Sequence, residues 1–455
     1  MIVKSVNPAT GEINGEFETV SGNDAVKLAK VVKHAFSGWR DMPIDRRISL
    51  LRVLAGVLRK RRSEYARLIT IEMGKPISDS IKEIDSCVNI CEATADNAKN
   101  WLAEEEVKTE YSKSFISFEP LGLVLAVMPW NYPFSQVLRC AVPSLAAGNV
   151  VLVRHSNVVP MCSLALEKAF EEAGFPDNIF RTVITDHPTV YKLIKSWPVD
   201  AVSFTGGADA GRAVSKLAAA QIKKCVLELG GSNAFIVLED CDIELAAKRA
   251  VESRVKNAGQ ACTSSKRFIV VERVAKKFAD RVIESAKSVK MGNPLELDTM
   301  LGPLANAQQL ETVQSQVEDA LEKGAVLGCG GRRAGAAGNF YELTVLTQVK
   351  RGMRVMKEEV FGPVIPIITV KNESEAIRIA NSLDFGLGAS IWTKDKARGE
   401  AIAMRMEAGM ACVNRLSNSE PRMPFGGVKK SGIGREFSRY GILEFTNIKS
   451  IIVSD

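Results

Sequence analysis

From about residue 115 the chain alternates short apolar runs with amphipathic stretches, and this alternation restricts the folds open to it. "LGLVLAVMP" (121–129), "NVVLVRH" (149–155), "DAVSFTGG" (200–207) and "KCVLELGG" (224–231) read as buried strands. Helical stretches such as "CSLALEKAFEEAG" (162–174) separate them. Parallel neighbours need a crossover connection, so the pattern predicts an α/β fold with helices on both faces of a parallel sheet. A second series follows: "AFIVL", "IELAAKRAVESRVKNAG", "RFIVVE" and "AKKFADRVIESAKSV". Two α/β units result, with a border near Gly230–Gly231. Upstream, apolar spacing of three and four predicts helices over 24–36 and 46–72. The basic run from Arg59 to Arg62 reads as a solvated helix face. "LGCGGRRAGAAGNF" (327–340) lacks a phosphate fingerprint and reads as an exposed turn. The tail "FTNIKSIIVS" (445–454) is a strand without a nearby partner. It is free to complete a sheet across an oligomer interface or to dock within the chain.

At 455 residues, roughly two to four domains are expected. A net charge of +7 over that length is too dilute to imply nucleic acid, though it tolerates small anions. No apolar run is long enough to span a membrane, and residues 1–20 do not read as a signal peptide. The nine cysteines are an odd number, widely spaced and without C-x-x-C. Neither a disulfide framework nor a metal site is expected, and a reducing cytoplasm fits. The histidines are His34, His155 and His187, which leaves few candidates for a histidine base.

Four stretches carry candidate chemistry. In "VSFTGGADAG" (202–211) a strand meets a glycine turn and then a helix. Helix N-termini attract phosphate, but G-x-G-x-x-G is absent, and a plain strand–helix turn is equally open. In "VLELGGS" (226–232) Glu228 lies among apolar neighbours. A solvent-facing strand position and a buried general base with raised pKa are both open. In "NAGQACTSS" (257–265) Gly259 is a natural helix stop, so Cys262 sits in a small polar loop just past a helix end. Most of the other cysteines lie in apolar helices or strands. A helix C-terminus disfavours a thiolate, so a nucleophilic Cys262 needs activation from elsewhere. Asn131, between two prolines in "PWNYP", is a candidate oxyanion donor or a turn-satisfying amide.

Eight stretches stand together in order: "NPATGE", "PWNYP", "SLAAGN", "SFTGG", "LELGGSN", "NAGQACTSS", "EEVFGPV" (358–364) and "PFGGVKKSGIGRE" (424–436). With them the chain resembles the NAD(P)-dependent aldehyde dehydrogenase superfamily over nearly its whole length. The resemblance implies a Rossmann-type cofactor domain over 1–101 and 121–230 and an α/β catalytic domain over 231–430. It also implies a small β oligomerisation element over 102–120 and 431–455, hence a homodimer or homotetramer. It makes Cys262 the nucleophile, Glu228 the base, and the Asn131 side chain with the Cys262 N–H the oxyanion hole. The aldehyde would pass through a thiohemiacetal and a thioester to the acid. Bound cationic nicotinamide would then help stabilise the thiolate.

On the cofactor side the resemblance places Trp130, Gly206, Gly207, Gly211, Leu229, Glu359 and Phe361, with Glu359 on the nicotinamide ribose. The family usually carries Lys-Pro-(Ser/Ala)-Glu after the third strand; here Arg154, His155, Ser156 and Asn157 stand instead. The missing Glu removes a charge that repels a 2′-phosphate, and Arg154, His155 and Ser156 are candidates to hold one. NADP is therefore expected ahead of NAD. Gly207, where Ser is common, should change little.

On the substrate side, Arg139, Lys256, Ser419 and Phe425 match the short succinate-semialdehyde dehydrogenases. Lys256 replaces a usual Arg and so lacks its bidentate fork. A small anionic aldehyde is implied, unless Arg139 makes a structural ion pair. The alternatives are a non-phosphorylating glyceraldehyde or glyceraldehyde-3-phosphate dehydrogenase, an acylating enzyme using coenzyme A, a thiol hydrolase, or a catalytically silent scaffold. Glu228 argues against the acylating enzyme, because that chemistry does not need the base.

Overall fold

Two parallel sheets, each with its own apolar core, organise the chain. The computed structural model describes residues 1–335 and 337–455; Ala336, within the expected turn 327–340, lies outside the described residues. The first sheet has the order Gly432–Ile433, Lys224–Leu229, Ala201–Gly206, Leu123–Met128, Val150–His155, Phe180–Thr182. All neighbours are parallel except Gly432–Ile433, which runs antiparallel to Leu227 and Glu228. Leu123–Met128 and Val150–His155 are buried at every position, as a sheet covered on both faces requires.

The chain moves from Leu123–Met128 to one side of the sheet and later returns to the other. Such a reversal opens a crevice beyond the carboxyl ends of the strands. "PWNYP" leaves the end of the central strand, Gly206-Gly207 the end of its neighbour, and Leu229-Gly230 the end of the next. Chain direction alone thus brings three of the motifs to one edge.

The second sheet has the order Val326–Cys329, Thr344–Thr347, Val364–Val370, Ser265–Val271, Asn233–Val237, Gly388–Trp392, Met410–Val413. Only its first pair is antiparallel. One sheet ends at Leu229 and the other begins at Asn233.

Some local expectations change. The stretch 46–72 forms two helices, Ile44–Lys60 and Arg62–Met73, because Arg61 leaves helical geometry (φ −96, ψ 15). Arg59, Arg61 and Arg62 pair with Glu92, Glu172 and Asp85, so the basic run is a charge-balanced surface. The tail docks within the chain: Thr446–Val453 runs antiparallel to Lys113–Pro120, whose other edge carries Glu105–Glu106. Phe425, Phe437, Ile442 and Phe445 pack into the first core, so 431–455 is divided between the first unit and the small sheet.

The helix Ile77–Trp101 fixes the start of the helix Ser135–Ala146, which follows "PWNYP". Glu83 Oε1 accepts from the backbone N–H of Phe134 (2.9 Å) and Ser135 (3.1 Å). Its Oε2 pairs with Lys75, and both side chains are wholly out of solvent. Removing one member of such a pair strands the other charge, at a cost of about 3–5 kcal/mol. Glu83→Ala should lower the unfolding free energy in urea by about that amount. Glu83→Gln, which keeps an acceptor for both N–H groups, should lose less. Wild-type stability in Glu83→Ala would contradict this.

Candidate active site

The cysteine loop does not leave a helix end directly. The helix Ile243–Val255 stops before Lys256, and Asn257 (φ 50), Ala258 (φ 51) and Gly259 (φ 71) follow in left-handed geometry. Two non-glycine residues in that region store strain, so the surroundings must hold them. Asn257 Nδ2 donates to Asn131 O (2.9 Å) and Gln260 O (3.1 Å). A Cβ at Gly259 would collide with the Gly362 carbonyl, so the loop packs backbone to backbone against 358–364. The turn therefore stands between the last residue of the helix and Cys262.

Cys262 forms part of the wall of two cavities. One, of about 270 Å³, is lined by Trp130, Asn131, Thr205, Gly206, Gly207, Glu228, Leu229, Glu359 and Phe361, among others. The other, of about 90 Å³, is lined by Asp79, Lys82, Glu83, Tyr132, Arg139, Lys256 and Ser419, among others. A larger cavity, of about 780 Å³ beside Asn7, Arg67 and Phe340, contains none of the candidate catalytic groups.

Asn131 is buried and fixed on both sides. Its Nδ2 donates to Gln260 O (2.9 Å), and its Oδ1 accepts from Gln136 Nε2 (3.1 Å). One amide hydrogen is left for a ligand. Glu228 is buried, and neither carboxylate oxygen has a hydrogen-bond partner. Desolvation and the neighbouring Glu436 push its pKa well above the usual range, while Arg139 and Arg435 oppose the rise. Of the two alternatives for Glu228, the buried carboxyl is the one realised. The Cys262 thiol is pushed up to about 11, chiefly by desolvation; Arg139 and Lys266 lower it, and Glu228 and Glu359 raise it.

The 270 Å³ cavity fits a dinucleotide end. Gly207 caps the helix Ala208–Ala219 without a side-chain bond, so first-turn N–H groups remain free for an anion. A Cβ on Gly207 would meet nothing within 4 Å. Trp130 and Phe361 meet edge-on with ring centroids 5.8 Å apart. Glu359 lies against Gly230, where a Cβ would collide with its carboxylate. Thr205 Oγ1 and Gln136 Oε1 are buried without partners, and both residues line this cavity.

Several predicted residues sit differently. Gly211 is not on the cavity wall; it lets the helix Ala208–Ala219 approach Leu229, whose side chain a Cβ would strike. His155 is buried, with Nε2 on Pro133 O (2.8 Å) and Nδ1 accepting from Ser156 N (3.0 Å). Burial lowers its pKa to about 4, so at neutral pH it is an uncharged tie to the "PWNYP" turn. With both ring nitrogens engaged, it is not a phosphate ligand. Arg154 commits Nε and Nη2 to Thr185 O and reaches Asn157 Oδ1 (3.5 Å), which leaves Nη1. Ser156 Oγ accepts from Val158 N (3.3 Å).

Arg139 lines the small cavity but is not a free cation. Its Nε lies 2.9 Å from Glu436 Oε2, and its guanidinium covers Phe425 at 4.6 Å. Its Nη2 is buried and unpartnered. The ion-pair alternative and the pocket position therefore both hold. Phe425 is fully buried beneath Arg139 and off the cavity wall, which corrects its placement as a substrate contact. Lys256 and Ser419 are exposed at the cavity. Lys82 is paired with Asp79 (3.1 Å), and Lys256 has no ion-pair partner among the described residues.

The sequence reading missed the wall formed by Asp79, Lys82, Glu83, Ser86 and Ile90, because nothing in a polar helix marks it as facing a distant loop. It also missed Gln309, which donates to Phe361 O (3.0 Å), and the buried Lys266. A lysine inside the apolar run "SSKRFIVV" was the available signal for the latter.

The aldehyde dehydrogenase family model matches residues 1–451, and the chain belongs to that family. A probable succinate-semialdehyde dehydrogenase (NADP(+)) from Synechocystis sp. is 42% identical over 454 residues, covering 100% of both chains. Succinate semialdehyde dehydrogenase (NAD(P)+) from Escherichia coli is 40% identical, covering 98% of this chain and 97% of its own. The solved succinic semialdehyde dehydrogenase of Streptococcus pyogenes, in complex with NADP+, superposes with a TM-score of 0.97 at 32% identity, covering 100% of both chains.

Glu228, Glu436 and Arg139 place two carboxyl groups beside one guanidinium in a buried cluster. Like charges in low dielectric do not both ionise readily. Above the pH at which solvated carboxylates ionise, the infrared spectrum should therefore retain a protonated-carboxyl band that is lost in Glu228→Gln. No such band in the wild type would contradict the raised pKa.

Proposed function

We propose that this chain oxidises succinate semialdehyde to succinate, with NADP as the preferred cofactor. The observation that carries the reading is Cys262, standing between a cavity that suits a dinucleotide and a small cavity with cations at its wall. The names of the relatives agree with it.

In this reading the Cys262 thiolate attacks the aldehyde carbon. The free Asn131 N–H and the Cys262 backbone N–H receive the developing oxyanion, a contribution of roughly 10²–10³ in rate for one such donor. A nicotinamide held beside Trp130, Glu359 and Phe361 would supply the acceptor for the hydride that leaves that carbon. Glu228, with no competing partner, then removes a proton from water, which attacks the thioester and releases the acid. Its raised pKa makes it a stronger base than a solvated carboxylate, so hydrolysis accelerates as pH rises through that pKa.

Trp130, Gly206, Gly207, Leu229, Glu359 and Phe361 would hold the nicotinamide and phosphate portions. Preference for NADP is supported by Asn157 in place of a carboxylate and by the uncommitted Nη1 of Arg154. Ser156 is a further hydroxyl at that end.

For the substrate, the 90 Å³ cavity is far below the roughly 300–1,000 Å³ of drug-sized sites and suits a short chain. Lys256 would meet the far carboxylate, with Ser419 and Arg139 Nη2 beside it. The small sheet is proposed to join a second copy of the chain, supported by exposed Ile448, Ile452 and Val453 on its outer strand.

An aldehyde panel with each cofactor tests the reading. Succinate semialdehyde with NADP should give the highest kcat/KM; equal values for NADP and NAD would overturn the cofactor preference. Lys256→Ala should raise KM for succinate semialdehyde by about 10- to 100-fold, the effect of one charge-assisted bond, and leave hexanal nearly unchanged. Equal losses for both aldehydes would overturn the pocket assignment.

A further inference from the structure

Lys266 is a fully buried ammonium group with no role in the mechanism above. It lies in the strand Ser265–Val271, just after the cysteine loop. A lysine ammonium has three N–H donors, and here all three are used. Nζ donates to Ala261 O (2.9 Å) and Cys262 O (2.8 Å) and pairs with Glu359 Oε1 (3.0 Å). The two carbonyls belong to the peptide groups on either side of the Cys262 α-carbon. The carboxylate belongs to the loop that lines the 270 Å³ cavity. Glu359 Oε1 also accepts from Gly231 N (3.2 Å), so one oxygen is fixed while Oε2 lies against Gly230 at the cavity.

We propose that Lys266 is a positioning residue that ties the setting of Cys262 to Glu359 on the cofactor side of the site. This rests on the reading of Cys262 as nucleophile. Buried charge is retained only where it is matched, and among the described residues the ion-pair partner of Lys266 is Glu359. Any ligand hydroxyl that draws on Glu359 therefore alters the balance at an ammonium bonded to both peptides of the cysteine. Arg254 provides a contrast. It is also fully buried and bridges the same two loops, but through Ser264 Oγ, Ser265 O, Val360 O and Gly362 O, all neutral. Arg254 staples the loops; Lys266 links them through charge.

The thiol faces Arg139 from the helix Ser135–Ala146, Glu228 from the strand Lys224–Leu229, Glu359 from the 358–364 loop, and Lys266. Asp79, Lys82, Glu83, Tyr132 and Lys256 line the cavity beside it. Arg139 and Lys266 favour the thiolate, and Glu228 and Glu359 oppose it.

The test is the pH dependence of Cys262 alkylation by iodoacetamide in the cofactor-free full chain, mapped by peptide mass, with NADP+ affinity measured separately by fluorescence titration. Lys266→Met should slow alkylation at fixed pH by about tenfold, as for one pKa unit, and weaken NADP+ binding. Lys266→Arg, which keeps the charge, should stay within about twofold in alkylation. Glu359→Gln should speed it. The double variant, Lys266→Met with Glu359→Gln, should depart from the product of the single effects by more than about twofold. Multiplicative effects, or a wild-type profile in a folded Lys266→Met, overturn the proposal. If Lys266→Met does not fold, Glu359→Gln decides: faster alkylation supports the link and an unchanged rate overturns it. Alkylation reads the thiol whether or not it turns over substrate, so loss of the nucleophile reading would appear instead as full activity in Cys262→Ser.

Discussion

The seam between Asn131 and the 257–260 turn is the constraint on which the site depends. Asn131 Nδ2 bonds Gln260 O, and Asn257 Nδ2 bonds Asn131 O. These bonds join a loop at the end of the first sheet to a loop that begins a strand of the second. They also hold Asn257 and Ala258 in left-handed geometry that the chain would not adopt unaided. Residues from the loops of both sheets thereby line the cavities at Cys262.

No group of three or more His, Cys, Asp or Glu among the described residues could hold a metal ion. Arg139 is shared between Glu436 and the small cavity, and Glu228 lines the 270 Å³ cavity with no hydrogen-bond partner among the described residues for either oxygen. The thiol at rest is pushed up to about 11, so it is mostly protonated at neutral pH.

Much of this was legible in the sequence for a local reason. Strands of a parallel sheet are continuous apolar runs, so 121–129, 149–155, 200–207 and 224–231 identified themselves within a residue or two. Gly206 and Gly207, at the end of one of these strands, stand on the wall of the 270 Å³ cavity. Less legible were groups defined by distant partners. His155 looked like a phosphate ligand until Pro133 O and Ser156 N occupied its ring. Phe425 looked like a substrate contact until Arg139 covered it. The Ile77–Trp101 wall had no motif at all, and its role comes from Glu83 capping a helix fifty residues downstream. Tertiary hydrogen bonds and ion pairs leave no periodic trace in a sequence.

The most direct measurement of the central claim is a rapid acid quench of turnover with succinate semialdehyde and NADP+, followed by peptide mass mapping. A succinyl group should appear on Cys262 during turnover and accumulate when Glu228 is replaced by Gln. Steady turnover with no acyl group on Cys262 in either protein, or with the group on another residue, would contradict the account.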